Sequence, residues 1–98
     1  MNIVKTSEGT KLTLALEGRL DTTTAPQLEA EVRGGLSGVT HLVLDFSQLE
    51  YLSSAGLRVL LAAQKLMNKQ GDMVIRRANA TIVEIFEVTG FLDILTME

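Results

Sequence analysis

Two adjacent hydroxyls, Ser53 and Ser54, are the side chains best placed to do chemistry, in the stretch Tyr51 to Leu61, YLSSAGLRVLL. An apolar strand hands over to an apolar helix there. A serine at such a junction can cap the helix, attack as a nucleophile, or be modified by another protein. Nucleophilic attack needs a base within hydrogen-bond reach. The only histidine, His41, begins the strand whose far end leads toward Ser54. At ~3.3 Å per residue that separates the two by well over ~10 Å, and a Ser-His pair fails. The absence of cysteine removes thiolate nucleophiles, thiolate metal sites and disulfides. Asp45 and Glu50 are isolated carboxylates, too few for a hard cation, and no Gly-rich loop carries a lysine for nucleotide phosphates. No catalytic residue, metal or cofactor is therefore expected, and any kinase acting on this chain must be a separate protein.

The chain around these serines has 98 residues, 46% of them hydrophobic, which is enough for one domain over residues 1–98 with a single two-layer core. No apolar run approaches the ~18 residues needed to cross a bilayer, and Met1 to Lys5 lacks the apolar core of a signal peptide. A cytoplasmic protein without membrane insertion is expected. A net charge of -3 with interspersed signs, and only three Phe and one Tyr, argue against nucleic acid as a partner.

Alternation of Leu12, Leu14 and Leu16 predicts a strand over Lys11 to Glu17, paired with a short strand around Asn2 to Thr6 across Ser7, Glu8 and Gly9. TTTAPQLEAEVRGG predicts a helix capped by Thr24, with Gln27 completing a capping box, Ala25, Leu28 and Val32 on one face, and Gly34 and Gly35 as the stop. HLVLDF, His41 to Phe46, reads as a strand buried on both faces. Ala55 to Lys69 is the longest helical pattern, stopped by Gly71. Met73 to Ile75 reads as a buried strand, and Asn79 as the cap of a third helix containing Val83 and Phe86 and ended by Gly90. Phe91 to Met97 is a helix or an edge strand. Strand alternating with helix implies an α/β fold, mostly parallel. The segments Gly18 to Thr24, Ser47 to Ser54 and Arg76 to Asn79 then leave the sheet along one edge, which would gather Asp21, Ser54 and Arg77.

Helix geometry separates the two serines. At about 100° per residue, Ser54 shares a stripe with Arg58, Lys65 and Lys69, whereas Ser53 projects toward Leu57, Leu60 and Met67. Ser54 is therefore expected in water, and Ser53 in the core or as the cap. Unpaired N–H groups at a helix start favour an anion on Ser54.

The segment DFSQLEYLSSAGLRVLLAAQK resembles the signature of the STAS domain, in particular the bacterial anti-sigma-factor antagonists. GRLDTTTAPQLE and TGFLDIL are similar to two further segments of that family. The resemblance implies the STAS fold, a small mixed, mostly parallel sheet with helices packed against it. It implies a non-enzymatic, phosphorylation-controlled switch. In such antagonists the serine two positions before Gly-Leu, here Ser54, is phosphorylated by the anti-sigma factor, itself a serine kinase. The unphosphorylated form binds that kinase and frees the sigma factor, and a phosphatase resets the cycle. Asp21, Thr22, Ser53, Ser54, Gly56, Leu57 and Arg58 would contribute to docking. The chain departs from several relatives in carrying Ser53 where they have aspartate. A second role compatible with the resemblance is a STAS subunit bound constitutively to the ATPase of a lipid transporter.

Overall fold

The leucine alternation near the N-terminus does produce a strand, and it is the second of four. The computed structural model describes residues 1–98. In chain order the elements are β1 (Asn2–Glu8), β2 (Lys11–Leu20), α1 (Ala25–Gly35), β3 (His41–Leu52), α2 (Ser54–Gln70), β4 (Asp72–Arg76), α3 (Ala80–Thr89) and a 3-10 turn, Phe91–Asp93. The sheet order is β1-β2-β3-β4. β1 runs antiparallel to β2, and β2, β3 and β4 are mutually parallel. β1 continues through Glu8, which pairs with Lys11, so the hairpin turn shrinks to Gly9 and Thr10. Gly9 adopts φ +61°, a left-handed conformation that glycine enters without penalty.

Period-two alternation aims Leu12, Leu14, Leu16 and Leu20 of β2, Leu42, Leu44 and Phe46 of β3, and Met73 and Ile75 of β4 into one cluster. Leu28 and Val32 of α1, Leu57, Leu60, Ala63 and Met67 of α2, and Ile82 and Phe86 of α3 fill the same cluster. All three helices therefore cover one sheet face, giving two layers. Each fully buried leucine there contributes about 1.5–3 kcal/mol relative to exposure. The other face carries half-buried Thr13, Ala15, Asp45 and Val74. β3 is thus not sandwiched along its length as expected. On the open face only Val43 is fully buried, flanked by Thr13 and Val74 in register.

Three element ends differ from expectation. β3 runs on to Leu52, past the point where the apolar pattern breaks, because it bulges twice: its register against β2 shifts between Ala15 and Glu17 and again between Gly18 and Arg19. α1 winds through Gly34 and Gly35 and ends at Leu36, whose buried side chain keeps the last turn on the core. The tail after α3 combines both expected forms. It makes a 3-10 turn and then a bridge of Met97 beside Ile75, with Ile75 N–H donating to Thr96 O at 2.9 Å.

Candidate functional site

β2 and β3 end at the same level, Leu20 opposite Leu52, so the loops that leave them emerge side by side. The Ser53 N–H donates to Leu20 O at 2.9 Å and holds the start of α2 against the end of β2. The approach is close. A Cβ on Gly56 would lie 2.8 Å from Leu20 Cγ and 3.3 Å from Leu20 O, so the absence of a side chain at Gly56 sets the spacing. Gly56 and Leu57 are both buried and shape this corner from beneath.

Ser53 stands at the N-cap position with extended backbone, φ -101° and ψ 178°, and its carbonyl accepts the first helical bond from Leu57 N–H at 3.0 Å. Its hydroxyl does not cap. The Oγ is buried and has no hydrogen-bond partner. Ser54, the first helical residue, is exposed. The helix step read from the sequence thus separates the two serines as expected, one toward the core and one toward water. Arg58, Lys65 and Lys69 are exposed along the same helix, which contains no carboxylate. The ion pairs of the molecule are Lys5–Glu31, Arg19–Asp21, Arg33–Glu29, His41–Asp72 and Arg76–Glu98, which leaves Arg58 without one.

The neighbouring loop is organised by Asp21, not by Thr24 as the sequence suggests. Asp21 Oδ1 accepts from the Thr23 hydroxyl at 2.8 Å, Thr23 N–H at 3.0 Å and Thr24 N–H at 3.2 Å. Thr24 makes no cap bond. Its hydroxyl donates to Arg19 O at 2.8 Å and accepts from Asp21 N–H at 2.8 Å, and no capping box with Gln27 forms. The Thr23 hydroxyl, followed by the two backbone N–H groups, outweighs partial desolvation and holds the Asp21 carboxyl below its usual range. Arg19 lies 4.0 Å from Asp21 Oδ2 and stacks 4.6 Å from the Tyr51 ring centroid, tying this loop to β3. Thr22 is exposed. Together with Ala25, Pro26, Glu29, Ala55 and Arg58 it lines an open cavity of about 300 Å³ between the N-terminal ends of α1 and α2.

Arg77 does not join them. β4 is five residues long and ends with Arg76 opposite Asp45, far short of Leu52 at the end of β3. Counted on the unbulged β2, where Ala15 is level with Asp45 and Arg76, Arg77 stops about four residues, roughly 13 Å at ~3.3 Å each, short of the Leu20–Leu52 level from which α2 starts. It sits in the left-handed region, φ 59°, beside Asp45. Burial opposes ionisation of Asp45, yet the Ser47 N–H at 2.9 Å, the Ser47 hydroxyl and the Arg77 and Arg76 charges together hold its carboxyl below the usual range. Asn79 caps α3 as expected, accepting from Ile82 N–H at 2.9 Å. It has a second task that the sequence did not signal: its amide donates to Leu49 O at 3.0 Å and closes the edge of β3 that β4 leaves bare. His41 pairs with Asp72 at the opposite end of the parallel strands from Ser54.

Residues 3–96 match the family model described as Mlab, STAS domain. A Bordetella bronchiseptica protein, BtrV, assigned to the anti-sigma factor antagonists, is 42% identical over 85 residues, covering 85% of this chain and 73% of its own length. Among solved structures, an anti-sigma factor antagonist from Mycobacterium paratuberculosis superposes with a TM-score of 0.88 at 22% identity, covering 98% of this chain and 83% of that one. The Bacillus protein SpoIIAA, an anti-sigma factor antagonist solved in unphosphorylated and phosphorylated forms, superposes with a TM-score of 0.78 at 17% identity. That match covers 99% of this chain and 87% or 91% of SpoIIAA. The four-stranded mixed sheet with three helices is the fold of these structures.

Proposed function

The chain belongs to the STAS domain family, and from that premise we propose that it is an anti-sigma-factor antagonist, a cytoplasmic and non-enzymatic binding switch whose phosphoacceptor is Ser54. With Ser54 free, the edge formed by Asp21, Thr22, the start of α2 and Arg58 docks onto an anti-sigma factor that is also a serine kinase, and the sigma factor is released. Phosphorylation adds roughly -1.5 to -2 charge and a hydrated group at the centre of that edge, so docking then incurs repulsion and desolvation. A separate phosphatase restores the binding form. SpoIIAA, solved in both phosphorylation states on the same fold, supports a switch of this kind.

The observation that carries the reading is the contrast between two neighbouring hydroxyls. Ser54 is exposed on the first turn of α2, where backbone donors and the helix dipole favour an anion, whereas the Ser53 oxygen is enclosed. Mass mapping after incubation with the cognate kinase and ATP is expected to place the phosphate on Ser54. Ser54→Ala should keep binding the kinase and resist release, and Ser54→Asp should bind more weakly. Phosphate on another residue, or none, would overturn the assignment.

One alternative keeps the fold and changes the role, a STAS subunit docked permanently on a lipid-transporter ATPase. Co-purification with such an ATPase, insensitive to Ser54→Asp, would select it.

A further inference from the structure

We infer that Arg58 is the built-in counter-cation for a phosphate on Ser54, which clamps the modified group onto the surface of α2. This rests on the acceptor assignment above. The two residues are four apart on one helix, the spacing at which side chains meet, and both are exposed. Long side chains on a helix lean toward its N-terminus, so Arg58 reaches back over the turn that carries Ser54 and Ala55.

Arg58 is also uncommitted. The carboxylate that shares its cavity, Glu29, is already engaged by Arg33 at 3.5 Å, and Arg58 has no ion pair. Lys65, the next cation on the helix, lies eleven residues from Ser54, roughly 16 Å along the axis and out of reach. A guanidinium presents two parallel N–H donors to phosphate oxygens, which a free arginine one turn away can deliver without any backbone movement. The phosphate would then be drawn over the cavity between Thr22 and Arg58 instead of swinging into solvent. Docking would be blocked by occupancy of that cavity as well as by charge, and a phosphatase would have to pull its substrate away from Arg58.

Phosphoserine installed at position 54 through an expanded genetic code, followed by 31P NMR titration, tests this directly. With Arg58 present, the second phosphate ionisation should fall about half a pH unit below that of the Arg58→Gln variant, with Arg58→Lys in between. The gap should narrow in about 1 M salt. Superimposable titration curves would overturn the clamp. The readout is independent of the acceptor assignment, because the phosphate is supplied synthetically. Failure of the kinase to modify Ser54 would sink the switch alone. Thermal unfolding of unphosphorylated Arg58→Gln, expected to match the parent, shows that the fold is intact.

Discussion

The two ends of α2 are built on opposite terms. At its C-terminal end the polar groups around the helix stop are engaged. Gly71 N–H donates to Met67 O at 2.7 Å, Gln70 Nε2 donates to Leu36 O and Val39 O at 2.6 Å each, Asp72 N–H donates to Thr40 O at 3.0 Å, and Asp72 itself holds His41. At its N-terminal end one hydroxyl is enclosed without a partner, the next is exposed, and a cation one turn on has no counter-ion. Both ends use a glycine to bring backbones together, so close packing does not distinguish them. Lys69 in the last turn lacks an ion pair just as Arg58 does, so what differs is hydrogen bonding: the C-terminal end is tied to its neighbours, whereas the Ser53 oxygen at the N-terminal end is bonded to nothing and Ser54 faces outward.

The sharpest way to break this comparison is to add one methyl at the fastened end. A Cβ on Gly71 would sit 1.8 Å from Thr40 O and 2.6 Å from its carbonyl carbon, backbone atoms just ahead of the first β3–β4 pair that are held by the Asp72 N–H bond to Thr40 O and cannot move aside. Its φ of 171° is extended and open to any residue, so the requirement is space alone. Gly71→Ala is expected to cost about 4 kcal/mol or to prevent folding, read from urea denaturation. A variant within about 1 kcal/mol of the parent would show that this end is not the rigid one.

At the open end the same substitution meets a different neighbour. A Cβ on Gly56 would press on Leu20 Cγ at 2.8 Å, a side-chain and not a backbone atom, so the fully buried Leu20 and its core neighbours must give way, while alanine raises helix propensity in partial offset. Gly56→Ala should therefore cost only about 1–2 kcal/mol. Because Leu20 precedes Asp21, the displacement should reach the loop and weaken partner binding by more than the stability loss explains. Titration of the kinase against the folded variant separates the two effects.

A smaller and pH-dependent contrast concerns Asp21. Its carboxyl is held below the usual range by the Thr23 hydroxyl and the Thr24 and Thr23 N–H groups, so the folded state favours its ionised form. The stabilisation is complete above the unfolded value of about 3.9 and disappears as pH falls through the lower folded value. Asp21→Asn should be less stable than the parent at neutral pH, and the gap should start to narrow below about pH 4 and close only as pH falls through the lower folded value. Melting temperatures from pH 2 to 7 that ran parallel for the two proteins would contradict this.

The sequence was readable where one signal dominated. Leu12, Leu14 and Leu16 announce β2, Asn79 and Gly90 bracket α3, and a 100° step separates Ser53 from Ser54, because each of these depends on local geometry that packing reinforces. It was unreadable where several residues could do one job. Asp21, Thr23 and Thr24 can all cap, and only the folded loop selects Asp21, which is drawn into place beside Arg19 and Tyr51. Strand length was the larger loss. Ser47, Gln48 and Glu50 break the apolar alternation of β3 because its two bulges reset the faces, and so the strand looked half its length. With β3 shortened, Arg77 seemed to share an edge with Ser54, whereas β4 stops level with Asp45.

The smallest expected effect is the most telling about the open end. Replacing an N-cap serine whose hydroxyl oxygen accepts from a first-turn backbone N–H by alanine costs about 0.5–2 kcal/mol. Ser53 holds the cap position, yet its oxygen is buried and bonded to nothing, so removing it sheds an unsatisfied polar atom instead of a hydrogen bond. Ser53→Ala should therefore lie within about 0.5 kcal/mol of the parent, or above it, in urea unfolding, and should leave Ser54 available to the kinase. A loss of about 1 kcal/mol or more would mean that the hydroxyl turns to the α2 backbone in solution. The N-terminal end of the helix would then be as fully bonded as the C-terminal end, and the contrast between them would vanish.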